Sequence, residues 1–237
     1  MVKRREILKM TVASTAMAAM AATVTAAPDR APSDRARPLT PPAKGNIPVA
    51  FLVSAGAQVI DFAGPWEVFQ DALLPGRDAS PFDLFTVAES TQPIRATGGL
   101  QIIPDYDFNT APLPKLVVVP AQSPPTEATK AWLRKTSQQA DLTLSVCTGA
   151  FVLAKAGLLA GKVATTHHDF YDRFAADFPD VSLRRGARFV DDGNISTAGG
   201  LTSGIDLALH VVARYYGRTV AEQTASLMEY ASARWKT

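Results

Sequence analysis

Apolar runs separated by polar turns dominate the chain from Ile47 onward. A strand buried in a parallel sheet reads as a nearly continuous apolar run, because helices cover both of its faces. Four stretches have this pattern: IPVAFLVS (47–54), FDLFTVAE (82–89), KLVVVP (115–120) and LTLSV (142–146). The pattern predicts four core strands of a mostly parallel sheet.

Segments with helical apolar spacing alternate with these strands. Pro65 suits the first position of a helix, and further helices are predicted from about 126 to 139, from Cys147 to Ala156, and over 203–216. Shorter extended pieces are predicted as a hairpin at Gly98-Gly99, a strand at VATTH (163–167), and small strands in VSLRR, ARFVDD and NISTA. Alternating strands and helices indicate an α/β sandwich.

The N-terminus has the pattern of an export signal. Paired arginines in KRREILK precede a moderately apolar stretch that runs from Met10 to Ala27. This arrangement predicts a twin-arginine signal over residues 1–27, hence a periplasmic or otherwise exported protein with no stable membrane insertion after cleavage. A retained membrane anchor is the alternative. Residues 28–46 are rich in proline and poor in large apolar side chains, which predicts a disordered spacer before one domain over 47–237.

Charge and cysteine content narrow the class of protein. The net charge is +2, but the first 37 residues contain seven of the basic side chains, and the rest of the chain is near −2 by the same count. No basic stripe therefore predicts a nucleic-acid partner. The single cysteine excludes an internal disulfide.

That cysteine, Cys147, lies where a buried strand gives way to a small-residue helix. A thiol at such a corner points out of the sheet, and the helix N-terminus is expected to favour its thiolate form. Its position predicts a nucleophile. The alternative is a buried, inert small hydrophobe, which is what most free cysteines are.

Two further groups are expected near the thiol. Asp61 follows the first strand and His167 ends the VATTH strand, and reactive groups collect at the carboxyl ends of strands in open α/β sheets. The alternatives are a turn or capping role for Asp61 and a capping or filling role for His167 or His168. Adjacent histidines are expected to point to opposite sides, so neither a metal site nor a cofactor is predicted.

Three separated motifs resemble a known family: SAGAQVIDFAGPWEVF, SVCTGAFVLAKAGLLAGKVATTHH and TAGGLTSGIDLALHVV. Their order is similar to that in the ThiJ/PfpI superfamily, which has the class I glutamine amidotransferase-like fold, and within it to the isonitrile hydratase-like branch. The resemblance covers about residues 47–228. It implies a flavodoxin-like three-layer sandwich with a nucleophile-elbow cysteine, and a homodimer that acts on a small molecule.

Carried over to this sequence, the resemblance makes Cys147 the nucleophile, Asp61 its acidic partner and Thr148 a further catalytic residue, with His167 as a possible accessory group. It implies addition of water to an isonitrile, R–N≡C, which gives an N-substituted formamide. The charge-stabilising donors would be the N–H of Thr148 and an N–H of the loop after Val119, at Ala121 or Gln122.

Two departures from the family pattern concern the substrate pocket. Family members commonly have glycines after the third core strand, where this chain has Pro120-Ala121-Gln122-Ser123, and they often have an aromatic residue where this chain has His168. The alternative function is a periplasmic ligand-binding or redox-sensing protein without catalysis. A transcription regulator is disfavoured because the sequence shows an export signal and no helix-turn-helix module after the domain.

Overall fold

Eleven strands and six helices make up the computed structural model, which describes residues 37–236. The strands are β1 (Ile47–Leu52), β2 (Phe82–Ala88), β3 (Ile94–Arg95), β4 (Gln101–Ile102), β5 (Tyr106–Asp107), β6 (Leu116–Val119), β7 (Leu142–Ser145), β8 (Val163–Ala164), β9 (Ser182–Leu183), β10 (Phe189–Asp192) and β11 (Ile195–Ala198). The helices are α1 (Val59–Asp71), α2 (Glu127–Ser137), α3 (Gly149–Lys155), α4 (Tyr171–Asp177), α5 (Ser203–Tyr216) and α6 (Arg218–Leu227).

Seven of the strands form one sheet in the order β10-β11-β7-β6-β1-β2-β5. Pairing is parallel throughout except at the β10–β11 edge, which is an antiparallel hairpin. Every residue of β6 and β7 is buried, as the continuous apolar runs predict. The four predicted core strands are therefore confirmed, and they form the middle of a mostly parallel sheet.

Helices cover both faces of this sheet and create two apolar cores. One core packs α1, α5 and α6 against the sheet, and includes Phe51, Phe69 and Leu207. The other packs α2, α3 and α4 against the opposite face, and includes Leu133 and Phe174. The predicted three-layer sandwich is confirmed, and the small β3–β4 hairpin around Gly98-Gly99 is also present.

One local prediction was wrong, and another holds over only part of its length. Pro65 lies inside α1 and not at its first position, because the helix already begins at Val59. A proline has no N–H to donate to the carbonyl four residues earlier, so the Asp61 carbonyl has no helical donor. The VATTH strand is only the two-residue β8, and it pairs with β9 in a separate small sheet.

The predicted export signal, residues 1–27, and residues 28–36 of the predicted spacer lie outside the described residues. The part of the spacer that is described has no helix or strand, but its start contacts the domain. The Leu39 N–H donates to the Arg214 carbonyl over 2.9 Å, and the Arg214 side chain donates to the Arg37 carbonyl over 3.0 Å. The spacer is therefore held to α5 at this point. Within residues 37–236, no helix is long and apolar enough to cross a membrane.

Four loops meet at the carboxyl edge of the sheet. Asp61 follows β1, Ala121 follows β6, Cys147 follows β7 and Leu201 follows β11. In the sheet, β2 lies on one side of β1, and β6 and then β7 lie on the other side. The direction in which successive strands are added therefore reverses at β1. Crevices at such a reversal are the usual ligand sites of open α/β sheets.

Candidate active site

Cys147 occupies a strained backbone position between β7 and α3. Its φ is 59°, a left-handed value that a Cβ atom disfavours. Hydrogen bonds fix the residue on both sides: its N–H donates to the Gly199 carbonyl over 2.8 Å, and its carbonyl accepts from the Thr166 hydroxyl at 2.9 Å. The predicted elbow geometry is therefore present.

Close backbone packing beneath the elbow requires a glycine. A Cβ added at Gly149 would lie 2.1 Å from the Val119 carbonyl oxygen, which is far inside van der Waals contact. Because that oxygen also accepts the Val146 N–H at 3.0 Å, it cannot move aside without breaking the β6–β7 connection. The Cys-Thr-Gly order thus lets the turn sit directly on the end of β6.

Asp61 reaches the elbow from the first turn of α1. Its side chain is completely buried, and Oδ2 accepts the Ala121 N–H at 3.1 Å. It does not cap its own helix, so the predicted alternative of a capping role is wrong. Oδ1 is buried and has no well-formed hydrogen bond among the described residues.

The environment of Asp61 shifts its proton affinity strongly. Burial raises the pKa of its carboxyl group from 3.8 to about 7, and this outweighs the opposite effects of the Ala121 N–H and the Cys147 thiol. At neutral pH the group is therefore divided between its acid and its carboxylate. Such a pKa suits a residue that both accepts and returns protons.

The thiol is shifted in the same direction. Burial, and then the neighbouring charge of Asp61, raise the pKa of Cys147 from 9.0 to about 11, although the Thr148 N–H, the Leu201 N–H and the Thr148 hydroxyl lower it. The predicted bias toward thiolate is therefore wrong. α3 begins two residues after Cys147 and is short, whereas desolvation acts on the whole sulfur.

Three donors lie beside the sulfur in the structure. Thr148 contributes the predicted N–H and also its hydroxyl, and Leu201 contributes a second N–H. In the loop after Val119 the Ala121 N–H is already bonded to Asp61, while its carbonyl accepts the Gln58 N–H at 2.8 Å. The Gly199-Gly200 pair before α5 was the available sequence signal for the Leu201 donor.

His167 is not one of the residues that shift the Cys147 pKa. Within residues 37–236 these are Asp61, Thr148 and Leu201. Its Nδ1 accepts the Asp169 N–H at 3.2 Å and so caps a short 3-10 turn. The ring also lies against the Gly200 backbone, since a Cβ on Gly200 would be 2.1 Å from the His167 Cδ2. His167 therefore supports the loop that carries the Leu201 donor.

The two adjacent histidines do not point apart. The rings of His167 and His168 stack with centroids 4.4 Å apart, which corrects the expectation of opposite orientations. With Asp169 they bring three possible metal-ligand atoms within 4.8 Å of one another. His168 and Asp169 are exposed, and His167 Nδ1 is engaged in the cap, so this group is a surface cluster separate from the thiol.

A cavity of about 140 Å³ opens beside the elbow. Its lining residues are Gln122, Pro124, Pro125, Thr148, Phe151, Val152, Lys155, Phe170 and Arg173. Gln122, predicted in the pocket loop, thus borders this space, and its Oε1 is buried with no hydrogen-bond partner within residues 37–236. Ala121 is not among the lining residues, because it faces Asp61 and α1.

Comparison with known proteins agrees with this geometry. Residues 48–214 match the DJ-1/PfpI family. The chain belongs to this family. The match spans β1 to most of α5 and so includes all four loops that form the site.

Proteins similar to this chain differ in their roles. The chain is 33% identical to isonitrile hydratase of Pseudomonas putida over 192 residues, which cover 79% of this chain and 80% of that protein. It is 32% identical to the HTH-type transcriptional regulator CdhR of Pseudomonas aeruginosa, over 74% of this chain but only 52% of the regulator. The family assignment alone therefore does not establish hydratase activity.

Solved structures share the DJ-1/PfpI fold. A ThiJ/PfpI family protein from Pseudomonas syringae superimposes with a TM-score of 0.70 at 30% identity, covering 79% of this chain and 76% of that one. Drosophila melanogaster DJ-1beta gives a TM-score of 0.67 at 18% identity, covering 79% of this chain and all (100%) of that one. The second likeness concerns the fold alone.

Proposed function

We propose that this protein is a cysteine-dependent hydratase that adds water to isonitriles or related small electrophiles and releases N-substituted formamides. The observation that carries the proposal is the buried pair of Cys147 and Asp61, in which the carboxyl pKa is about 7. Similarity to isonitrile hydratase over 79% of the chain supports the choice of electrophile.

The first half of the reaction attaches the substrate to sulfur. The Asp61 carboxylate takes the proton of the Cys147 thiol while Sγ bonds to the isonitrile carbon. The carbon–nitrogen triple bond becomes a double bond, and the Asp61 carboxylic acid then gives the proton to that carbon, leaving a thioformimidate, R–N=CH–S. N–H groups of Thr148 and Leu201 stabilise the negative charge on the sulfur as the thiol loses its proton.

The second half consumes water. Asp61 takes a proton from water as the water oxygen bonds to the thioformimidate carbon, and it passes this proton to the nitrogen. The adduct, R–NH–CH(OH)–S, breaks its carbon–sulfur bond, and the hydroxyl proton returns to sulfur through Asp61. The products are R–NH–CHO and the original thiol, so one water is consumed and no other reactant is needed.

Formamide production from an alkyl isonitrile, followed by mass spectrometry, tests this proposal. We expect Cys147→Ala and Cys147→Ser to lose at least about a thousandfold in kcat/KM, because the sulfur forms the intermediate. Full activity in either variant would exclude the mechanism. A covalent adduct on Cys147 in wild-type protein quenched during turnover would support it.

A ligand-binding or redox-sensing role without catalysis is the second candidate. The raised thiol pKa favours ligand binding without catalysis, since a thiol at about 11 is largely protonated at neutral pH and reacts slowly unless a base assists it. The same low reactivity applies to oxidation, so redox sensing would also require Asp61 to take the thiol proton. This role predicts no formamide production by the wild type. Reversible oxidation of Cys147 by dilute peroxide, detected by mass spectrometry, would then be the positive result.

We also propose that the protein is exported by the twin-arginine route and assembles as a homodimer. The paired Arg4 and Arg5 before the apolar N-terminal stretch support export. Cell fractionation of the wild type and of a variant with Arg4→Lys and Arg5→Lys tests the route, and export of the variant would contradict it. Light scattering tests the dimer, for which a monomer mass is the contrary result.

A further inference from the structure

The cavity beside the elbow runs along one face of α3. Four of its lining residues, Thr148, Phe151, Val152 and Lys155, lie at intervals of three and four along the chain, which places them on one side of the helix. Thr148 lines the cavity, and its N–H and hydroxyl are hydrogen-bonded to the Cys147 sulfur, so the inner end of the cavity is one side chain away from the thiol. The outer end is at Lys155, in the last turn of α3.

The middle of the cavity is apolar. Phe151 and Phe170 form an edge-to-face pair with ring centroids 6.2 Å apart, and Pro124 and Pro125 contribute further apolar wall. The volume of about 140 Å³ is close to that of an engineered apolar cavity of roughly 150 Å³ that binds benzene. A single ring or a short alkyl chain therefore fits the space.

The outer end is cationic. Lys155 and Arg173 both line the cavity, and none of its lining residues is acidic. The Arg173 guanidinium lies 5.8 Å from the Phe151 ring centroid, and its Nε is 3.5 Å from an Asp177 carboxylate oxygen, so it is oriented by two contacts. Because a guanidinium has five N–H donors, the single contact with Asp177 leaves donors for a second anion.

The distance between the two ends follows from helix geometry. Seven residues separate Thr148 from Lys155, and a rise of 1.5 Å per residue gives a span of about 10 Å. A molecule whose reactive carbon is at the thiol and whose anionic group is at Lys155 and Arg173 must match this length. A six-carbon chain, or a benzyl group with a carboxylate opposite its reactive substituent, does so.

We propose that the preferred substrates are isonitriles with an apolar body and a carboxylate about 10 Å from the isonitrile carbon, which Lys155 and Arg173 recognise. The inference rests on the proposed hydratase function and specifies its substrate class. The apolar walls bind the body, and the two cations select the charged end. Attraction between partly exposed charges is modest and screened by salt, so the selectivity decreases as ionic strength rises.

Turnover of matched substrates tests the selectivity. The pair is an ω-isocyanohexanoate and its methyl ester, which differ at the charged end only. For the wild type we expect kcat/KM to be about tenfold higher with the carboxylate, mainly through a lower KM. Removal of both cations by Lys155→Gln and Arg173→Gln should abolish this ratio, by lowering kcat/KM for the carboxylate far more than for the ester.

A matched control removes a cation elsewhere. Lys44 precedes β1 and so lies at the amino edge of the sheet, opposite the elbow, and Lys44→Gln should retain the full ratio. Equal kcat/KM for the two substrates in the wild type would overturn the inference. So would a ratio that persists in the double variant, because the carboxylate would then be recognised elsewhere.

Binding of the products separates this inference from the hydratase proposal. Calorimetry with ω-formamidohexanoate and its methyl ester measures recognition without chemistry. Tighter binding of the carboxylate that is lost in the double variant supports the cavity assignment even if no isonitrile is turned over, in which case the hydratase proposal alone fails. Equal binding of the two products, or no binding of either, overturns the assignment.

Discussion

Asp61 and Cys147 affect each other's proton in opposite ways. The carboxylate raises the pKa of the thiol, whereas the thiol, as a hydrogen-bond donor, lowers the pKa of the carboxyl group. Burial also raises the pKa of both groups. At neutral pH the sulfur therefore keeps its proton, and the carboxyl group is the one that titrates. A base is therefore already beside the nucleophile before any substrate enters.

The rate should follow the ionisation of Asp61. Its carboxylate must be free to take the thiol proton, so kcat/KM is expected to fall roughly tenfold per pH unit below the pKa. The midpoint should lie near the carboxyl pKa of about 7. Steady-state kinetics from about pH 5 to about pH 9 measures it.

The matched variant for this profile is Asp61→Asn, which keeps the shape of the side chain but cannot accept a proton. We expect its kcat/KM to be lower by about a hundredfold to ten thousandfold and to show no step near neutral pH. A profile identical to that of the wild type would mean that another group is the base.

Stability should decrease as pH rises toward neutrality. The folded-state pKa of Asp61 is about 7 and its ordinary value is 3.8, so between these limits the folded protein binds more protons than the unfolded chain. Stability from this group is therefore present at acidic pH and lost as pH rises through the folded pKa, by at most about 4 kcal/mol.

Asp61→Asn removes this dependence and should be more stable than the wild type above neutral pH. Denaturant unfolding at acidic and alkaline pH gives the comparison. Asp78→Asn, at an exposed position, is the control and should follow the wild type at every pH. The assignment would be contradicted if the free energy of unfolding of the wild type rose from acidic to neutral pH and this rise were absent in Asp61→Asn.

The left-handed backbone at Cys147 predicts a difference between two inactive variants. Glycine adopts a φ of 59° without strain and alanine does not, so Cys147→Gly should be more stable than Cys147→Ala by about 1 kcal/mol. Thermal unfolding of the pair measures the difference. A lower melting temperature for the glycine variant would show that the elbow is not strained.

Gly200 should affect catalysis through His167. A methyl group at Gly200 meets the His167 ring at 2.1 Å, so Gly200→Ala must displace either the ring or the loop that presents the Leu201 N–H to sulfur. We expect kcat to fall by about tenfold to a hundredfold with a smaller change in KM.

The double variant Gly200→Ala with His167→Ala gives the methyl group room. It should recover most of the lost kcat, and the recovery is a coupling between two residues in contact. Unchanged kcat in Gly200→Ala, or no recovery in the double variant, would exclude the loop support assigned to His167.

Apolar patterning was sufficient to predict the layers of the fold. The buried strands β1, β2, β6 and β7 have few polar positions, and this pattern has one common structural explanation. Helix starts were less well predicted. Pro65 favours a first helical position, but α1 begins earlier because packing against α5 outweighs the local preference.

Residue types indicated only part of the site. The strand order placed Asp61 and Cys147 at the same edge of the sheet, but the role of Asp61 as the acidic partner came from the family resemblance, because an aspartate near a helix start is equally typical of a cap. The Leu201 donor is a backbone N–H, which residue type does not specify. The thiol pKa depends on burial by segments distant in sequence. The predicted helix N-terminus indicated a lowered pKa, whereas burial raises it.

The two N–H groups beside the sulfur come from loops that follow β7 and β11, and β11 is held to β7 through three residue pairs next to the sheet's edge hairpin. The charge-stabilising site thus exists only while that edge is docked. Detachment of β10 and β11 separates the donors and breaks the hydrogen bond between the Cys147 N–H and the Gly199 carbonyl, while the Asp61 carboxyl and the central strands stay in place. Activity should therefore be lost in mild denaturant, when this outer part of the sheet detaches and before the rest of the domain unfolds.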